Sequence, residues 1–352
     1  MKLHDLICAR IAQNGPISLA DYMVECLLHP EFGYYTTRLP IGAAGDFTTA
    51  PEISQMFGEL VGLTLAQTWI DQGRPEHFVF AELGPGRGTL MNDALRATRN
   101  IPGFHASAEI VLVEASPRLA AMQRDVLSGF SVTHLSRVDA LPVAPLFLIA
   151  NEFFDALPIR QFTRGSVHWR ETQIGLQDGA LALGLSPELP QPTLADRLSE
   201  TKPGHVIEYS PGAAPIMASV GQTIADHGGA ALILDYGDWR SLGDTFQAVQ
   251  NHQVVPPLSD PGCADLTAHV DFEALAQAAL CAHTRMTPQG VFLERIGISQ
   301  RAQNLAANLQ GPALDSHIKA HRRLTHPDEM GNLFKVMGLF PEGSPPPPGL
   351  EI

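Results

Sequence analysis

Between residues 78 and 90 the chain reads F-V-F-A-E-L-G-P-G-R-G-T-L. An apolar run breaks at Gly84, Gly86 and Gly88, with Pro85 inside the turn, and a helical pattern follows Leu90. This is the signature of a buried strand, a tight turn and a helix start. The glycines allow positive φ and let a ligand approach the main chain closely. The helix that opens there leaves N–H groups without intrahelical partners, aimed at whatever the turn holds.

The spacing narrows the ligand. A dinucleotide fingerprint is G-x-G-x-x-G; here the third glycine comes one residue early and Thr89 takes the place where that pattern wants Gly or Ala. Glu82, at the strand end, repels a pyrophosphate and suits a cationic amine. A nicotinamide dehydrogenase is therefore disfavoured. The motif E-x-G-x-G-x-G resembles motif I of class I S-adenosylmethionine (SAM) methyltransferases; the plainer alternative is a structural turn of an α/β domain. The next apolar run, Glu109–Val113, ends at Glu114. An acid at a second strand's end, roughly 20 residues or somewhat more past the glycines, is placed to accept hydrogen bonds from ribose hydroxyls. Together the two features favour the cofactor reading.

The chain has 352 residues, which implies a main domain with an appended or inserted part. The formal net charge of −14 argues against nucleic acid as a partner and suits a cationic one. No apolar run approaches the roughly 20 residues of a membrane span. Cys8, Cys26, Cys263 and Cys281 are scattered without a C-x-x-C pair, so they read as reduced thiols, and no metal site is expected. No signal peptide or clear transit peptide is read at the N-terminus.

Two helices are expected first, one around Leu6–Ile11 and one over Leu19–Leu28 capped by Ser18. A segment dense in aromatic and hydroxyl residues follows and runs into a helix reaching Trp69; Asp46 and Thr49 lie in it. It reads as a helical lid over the cofactor or substrate, or as a capped helix entry with Pro51 in its first turn. Residues 78–155 alternate strand and helix: strands at 78–82, 109–113, near Val132 and at 146–150, with helices from 89 and over 117–127. This implies a mostly parallel sheet with helices on both faces. Strand-like runs at 160–163, 167–174 and 180–185 break the alternation and read as a small antiparallel insertion. A helix near 212–227 and a strand at 230–236 resume it. Residues 240–268 read as a long loop, 271–282 as a helix, 291–309 as mainly helical and 333–339 as a last strand. The expected division is 1–70, 71–159 with 205–352, and 160–204.

The fourth strand ends in A-N-E-F-F-D-A-L-P, residues 150–158. Ligands of open α/β sheets bind beyond the carboxyl ends of the strands at the switch point, so Glu82 and Glu152 should face each other there. Glu152 and Asp155 suit a cationic acceptor, although Asp155 equally fits a turn cap. Asp235 and Tyr236, ending the fifth strand, either line the acceptor pocket or bond across loops. His269 is a candidate for proton removal, or a structural histidine. His317 and His321 read as a solvated helix face, not a metal site.

Gly45–Glu59 (G-D-F-T-T-A-P-E-I-S-Q-M-F-G-E), Glu82–Leu90, Asn151–Pro158, Leu234–Gly237, Asp260–Phe272 and Leu324–Met337 (L-T-H-P-D-E-M-G-N-L-F-K-V-M) together resemble the MidA-like family, the mitochondrial complex I assembly methyltransferases and their bacterial relatives. The resemblance runs from about Ala20 to Met337. It implies a class I SAM methyltransferase (Rossmann-like) fold, SAM as cofactor, and symmetric dimethylation of an arginine on a complex I subunit. By motif it carries Glu82, Gly84, Gly86, Gly88 and Glu114 over as cofactor contacts and Glu152 and Asp155 as acceptor-side acids. From the residues themselves, Pro85 within the turn and Asp46 and Thr49 of the lid join the candidate cofactor contacts, and His269 joins the candidate catalytic residues. The missing clear transit peptide suggests a bacterial cytoplasmic member, or the mature form of a eukaryotic one in the mitochondrial matrix, and a homodimer is a further expectation. Two competing readings stay open: a methyltransferase of a small cationic metabolite, and a SAM-binding assembly chaperone with little turnover.

Overall fold

The computed structural model describes residues 2–37 and 48–352. Its main sheet is built from β1 (Phe78–Leu83), β2 (Ala108–Val113), β3 (Val132–Leu135), β4 (Leu146–Asn151), β5 (Gly229–Asp238) and β6 (Phe334–Phe340). Their spatial order is β6-β5-β4-β1-β2-β3. All neighbours run parallel except β6, which is antiparallel to β5. The short segments Ala282–His283 and Thr287–Pro288 pair with β6 from beyond it.

Side chains alternate across a strand, and both faces of this sheet are apolar. Phe78 and Phe80 point to one face, Val79 and Ala81 to the other. The first face is covered by Gln55–Asp71, through Phe57, Val61, Leu65 and Trp69, and by the helix Thr89–Thr98. The second is covered by Ala213–His227, through Met217, Val220 and Ile224, and by Phe272–Ala278. Double coverage explains why the central strands read as continuous hydrophobic runs. The sheet reverses its winding between β1 and β4, so the crevice at their carboxyl ends is the switch point.

A second, antiparallel sheet is formed by Arg160–Arg164, Trp169–Gln177, Ala180–Leu185 and Val206–Tyr209. It takes in Val206–Tyr209, which pairs with Arg160–Thr163, and Ile17–Ser18, which pairs with Ile174 and Gln173. The helices Leu3–Asn14 and Leu19–Leu28 pack here, with Leu3, Ile7, Ile11 and Leu19 around Ile174. Ser18 caps the second of them, its hydroxyl accepting from Asp21 N–H at 3.0 Å. The first 70 residues thus divide between two cores, the Gln55–Asp71 helix belonging to the main one.

The stretch 240–268 is not a plain loop. Gln247–Gln250, Gln253–Val255 and Asp265–Thr267 form a three-stranded antiparallel sheet. Asn251 and His252 both have positive φ, 51° and 60°, as a two-residue hairpin turn of this kind requires. The helix expected over 271–282 stops at Ala278, where Ala279 turns extended.

Candidate active site

The glycine turn takes the conformation its composition allows: φ is 61° at Gly84, 53° at Gly86 and 83° at Gly88. A Cβ on Gly84 would stand 2.9 Å from the ring of Phe153, so the turn and the loop after β4 close on each other with no room for a side chain. Leu83 pairs with Ala150 across the β1–β4 ladder, which puts Glu82 and Glu152 at neighbouring strand ends.

A cavity of about 440 Å³ opens there, lined by Tyr35, Gly84, Gly86, Glu114, Ser116, Asp139, Glu152 and Phe153. A recess of about 50 Å³ shares Gly84, Gly86 and Glu152 with it and is walled by Thr49, Glu52, Glu82, Pro85 and Asn151. Thr49 lies where the sequence puts it, at the N-terminus of the short helix Ala50–Ile53. Asp46 lies outside the described residues.

The recess is rich in oxygen acceptors. Glu82 is buried, and its Oε2 has no hydrogen-bond partner. Burial pushes its carboxyl up to about 8, with Glu114 adding to the rise. Asn151 donates its amide to Glu152 Oε1 at 3.2 Å, while its own buried Oδ1 is unpartnered. Glu152 stands on a left-handed backbone, φ 50°, unusual for a residue with a side chain. Its Oε1 also accepts from Ala50 N–H at 3.3 Å, and burial with the nearby Asp155 raises its carboxyl to about 7. Glu52 faces Arg87 at 3.6 Å and accepts from the Thr89 hydroxyl, so it is neutralised within the wall.

Glu114 is held in the larger cavity. Its Oε1 accepts from Ser116 N–H at 2.7 Å and its Oε2 from Gln123 Nε2 at 3.1 Å. The same Gln123 amide donates to Gly86 O at 2.7 Å, tying Glu114 to the glycine turn. Ser116 in turn donates to Tyr35 O at 2.7 Å, so the N-terminal segment closes over this end.

Asp155 is buried beside the Tyr236 hydroxyl, with Oδ1 unpartnered, and burial raises its carboxyl to about 6. Asp235 resolves the alternatives left by its sequence. It is fully buried and accepts from Phe154 N–H (3.0 Å), Asp155 N–H (3.2 Å) and Tyr236 N–H (2.9 Å), so it bonds across loops and fixes the turn that presents Glu152.

His269 is not brought into this cavity. It lines an outer groove with Asp238 and Lys335, its ring set edge-on to Tyr236 at 5.4 Å. Tyr236 occupies the position next to Asp155, which keeps the imidazole away from it. Three residues of the site escape sequence reasoning. Asp139 obeys the strand-end rule that found Glu114, following β3 on the same edge. Asn151 carries no signal apart from its neighbour. Gln123 carries none at all, being one polar residue on an amphipathic helix. Among the described residues no group of three or more His, Cys, Asp or Glu converges on a metal position.

A parallel α/β sheet carries a glycine turn at its switch point, a buried acid with one unpartnered oxygen beside it and a second acid one strand over, an arrangement suited to a nucleoside with a cationic tail. The family described as "Putative S-adenosyl-L-methionine-dependent methyltransferase" matches residues 60–291. The protein arginine methyltransferase NDUFAF7 of Xenopus laevis mitochondria is 36% identical over 94% of this chain and 83% of its own length. The human NDUFAF7 is 34% identical, covering 94% of this chain and 82% of its own. A Burkholderia thailandensis protein crystallised with S-adenosylhomocysteine superposes with a TM-score of 0.85 at 28% identity, over 99% of this chain and 93% of that one. The chain belongs to this family of SAM-dependent methyltransferases, and SAM is its cofactor.

Proposed function

We propose that this protein transfers methyl groups from SAM to the guanidinium of an arginine on a protein, a subunit of respiratory complex I type. The class I arrangement is supported by the strand order, with an antiparallel last strand inserted beside β5. The observation that carries the acceptor is the pair Glu152 and Asp155. Glu152 lines the cavity beside the glycine turn, Asp155 is buried close enough behind it to raise its carboxyl, and neither forms an ion pair among the described residues. Two unpaired acids in a poorly solvated place call for a cation.

The cofactor's residues fit. The unpartnered Glu82 Oε2 suits an ammonium group, Glu114 suits ribose hydroxyls, and Asp139 stands farther along the same cavity. When bound, SAM supplies a methyl group on a positively charged sulfur. What the chain contributes is alignment and charge. Alignment of nucleophile, methyl and leaving sulfur is worth roughly 7–11 kcal/mol of barrier. A guanidinium, with a pKa above about 12, is not free base at neutral pH. Glu152, locked by Asn151 and Ala50, accepts its N–H groups as a fork and holds its charge on the far nitrogens. The proton leaves to Glu152 or Asp155, whose raised values suit them to receive it. His269, outside the cavity, has no part in this.

The test is incubation of the purified protein with radiolabelled SAM and a cell extract, followed by amino-acid analysis of whatever carries label. Label in methylated arginine of a protein is expected. Label confined to a small molecule would replace the reading with a metabolite methyltransferase, and tight SAM binding without any transfer would replace it with a chaperone.

A further inference from the structure

The strand Ala180–Leu185 forms an edge of the inserted sheet. Among the described residues it pairs only with Trp169–Gln177. From Gly179 to Pro187 the sequence is G-A-L-A-L-G-L-S-P, with no charged residue, in a chain of net charge −14. Edge strands are ordinarily guarded by lysine, by a proline within the strand or by a bulge; this one has none of these. Leu183 and Leu185 are 52% and 49% exposed, and Leu176, opposite Leu181 on the same face, is 38% exposed.

The backbone register decides what this edge offers. Ser186 N–H donates to Glu171 O at 2.8 Å, on the inner side. Strand groups alternate, so Gly184 and Ala182 also turn their N–H and C=O inward. Leu181, Leu183 and Leu185 turn theirs outward, to the open edge. The side chains of the same three leucines share one face, opposite Leu176, Ile174 and Thr172.

We propose that this edge joins two copies of the chain by antiparallel strand pairing about a two-fold axis. With Leu183 opposite its own copy, Leu181 meets the second copy's Leu185, and every outward N–H and C=O finds a partner. Leucine then meets leucine on one face, and Ala182 meets Gly184 on the other. A strand with leucine at every second position is self-complementary in this register without any change of shape, and a two-fold contact requires self-complementarity. A standard interface buries about 800 Å² per partner; the exposed Leu176 on the same face widens the strand's contribution toward that area. The proposal does not depend on the methyl acceptor.

The experiment is light scattering on the size-excluded full-length protein at micromolar concentration. Wild type is expected at twice the 38.0 kDa chain mass. Leu183→Lys sets two like charges opposite each other across the axis and is expected at the single mass, with thermal stability and SAM binding unchanged because Leu183 is half exposed and outside the cavity. Leu183→Cys is expected to crosslink with a short bis-maleimide at a position where wild type, with its native thiols, does not. A wild type of single mass overturns the proposal. So does a Leu183→Lys variant that keeps the double mass, or a dimer whose Leu183→Cys form does not crosslink.

Discussion

In the proposed reaction Glu152 is the residue that meets the acceptor. Its left-handed backbone sets the side chain at the strand end facing the glycine turn, and Asn151 and Ala50 fix one oxygen. Glu152→Gln keeps the size but removes the charge and one of the two good acceptors. SAM affinity should stay near wild type while methyl transfer falls about 10²-fold or more, as when one charge-stabilising group is lost; separate calorimetry and single-turnover assays check the split. Glu114 behaves differently. Glu114→Ala should weaken SAM binding by roughly 1.5–3 kcal/mol. Because Ser116 N–H and the Gln123 amide lose their acceptor, it should also lower the melting temperature of the ligand-free protein. Unchanged affinity in that variant would remove Glu114 from the ribose site.

At the scale of elements, the site is a matter of two loops held at one height. Asp235 does this for the loop after β4, gathering three N–H groups on one buried carboxylate. Asp235→Asn turns one of those acceptor oxygens into a donor facing a donor. It should cost roughly 2–3 kcal/mol of stability and lower the rate of transfer more than the affinity for SAM, because Glu152 loses its support while the glycine turn does not. Thermal unfolding and a comparison of rate with affinity check both parts. The strands, the glycine turn and the acids at strand ends were legible in the sequence because they follow from local patterns: apolar runs, turn residues, and an acid where a strand stops. Asp235's role was not, since an acid at a strand end reads the same whether it faces a ligand or a neighbouring loop. The pairing of Ile17–Ser18 with Ile174 was hidden for another reason, being a contact between distant parts of the chain with no periodicity of its own. The hairpin at Asn251-His252 was obscured by the prolines and aspartates around it. The two readings of His269 could not be separated in the sequence, which does not tell what stands between two side chains, and here Tyr236 stands between His269 and Asp155.

Taken as a whole, the molecule buries acids at one place and leaves them uncompensated until ligands arrive, and this ties its stability and its binding to pH. Glu82 is raised to about 8, Glu152 to about 7 and Asp155 to about 6. Each binds its proton more tightly folded than unfolded, so the folded state holds more protons between the ordinary carboxylate range and these values. The stability they lend is complete below pH about 4 and is lost as pH rises through the folded values, by about 1.4 kcal/mol per pH unit for each group still protonated in the fold. The ligand-free protein should therefore melt at a lower temperature at pH 8 than at pH 6, and Glu82→Gln should flatten that difference. Cofactor binding reverses the balance at Glu82, because an ammonium placed against Oε2 favours the ionised carboxylate. At pH 7, where the ligand-free Glu82 is mostly protonated, SAM binding should release most of one proton; at pH 9, where Glu82 is already ionised and a free α-amine is mostly neutral, it should take one up instead. Calorimetric titration in buffers of different ionisation heat measures this directly. A binding enthalpy at pH 7 that does not vary with the buffer, or that varies equally in Glu82→Gln, would mean that the acid at the end of β1 does not meet the cofactor's amine.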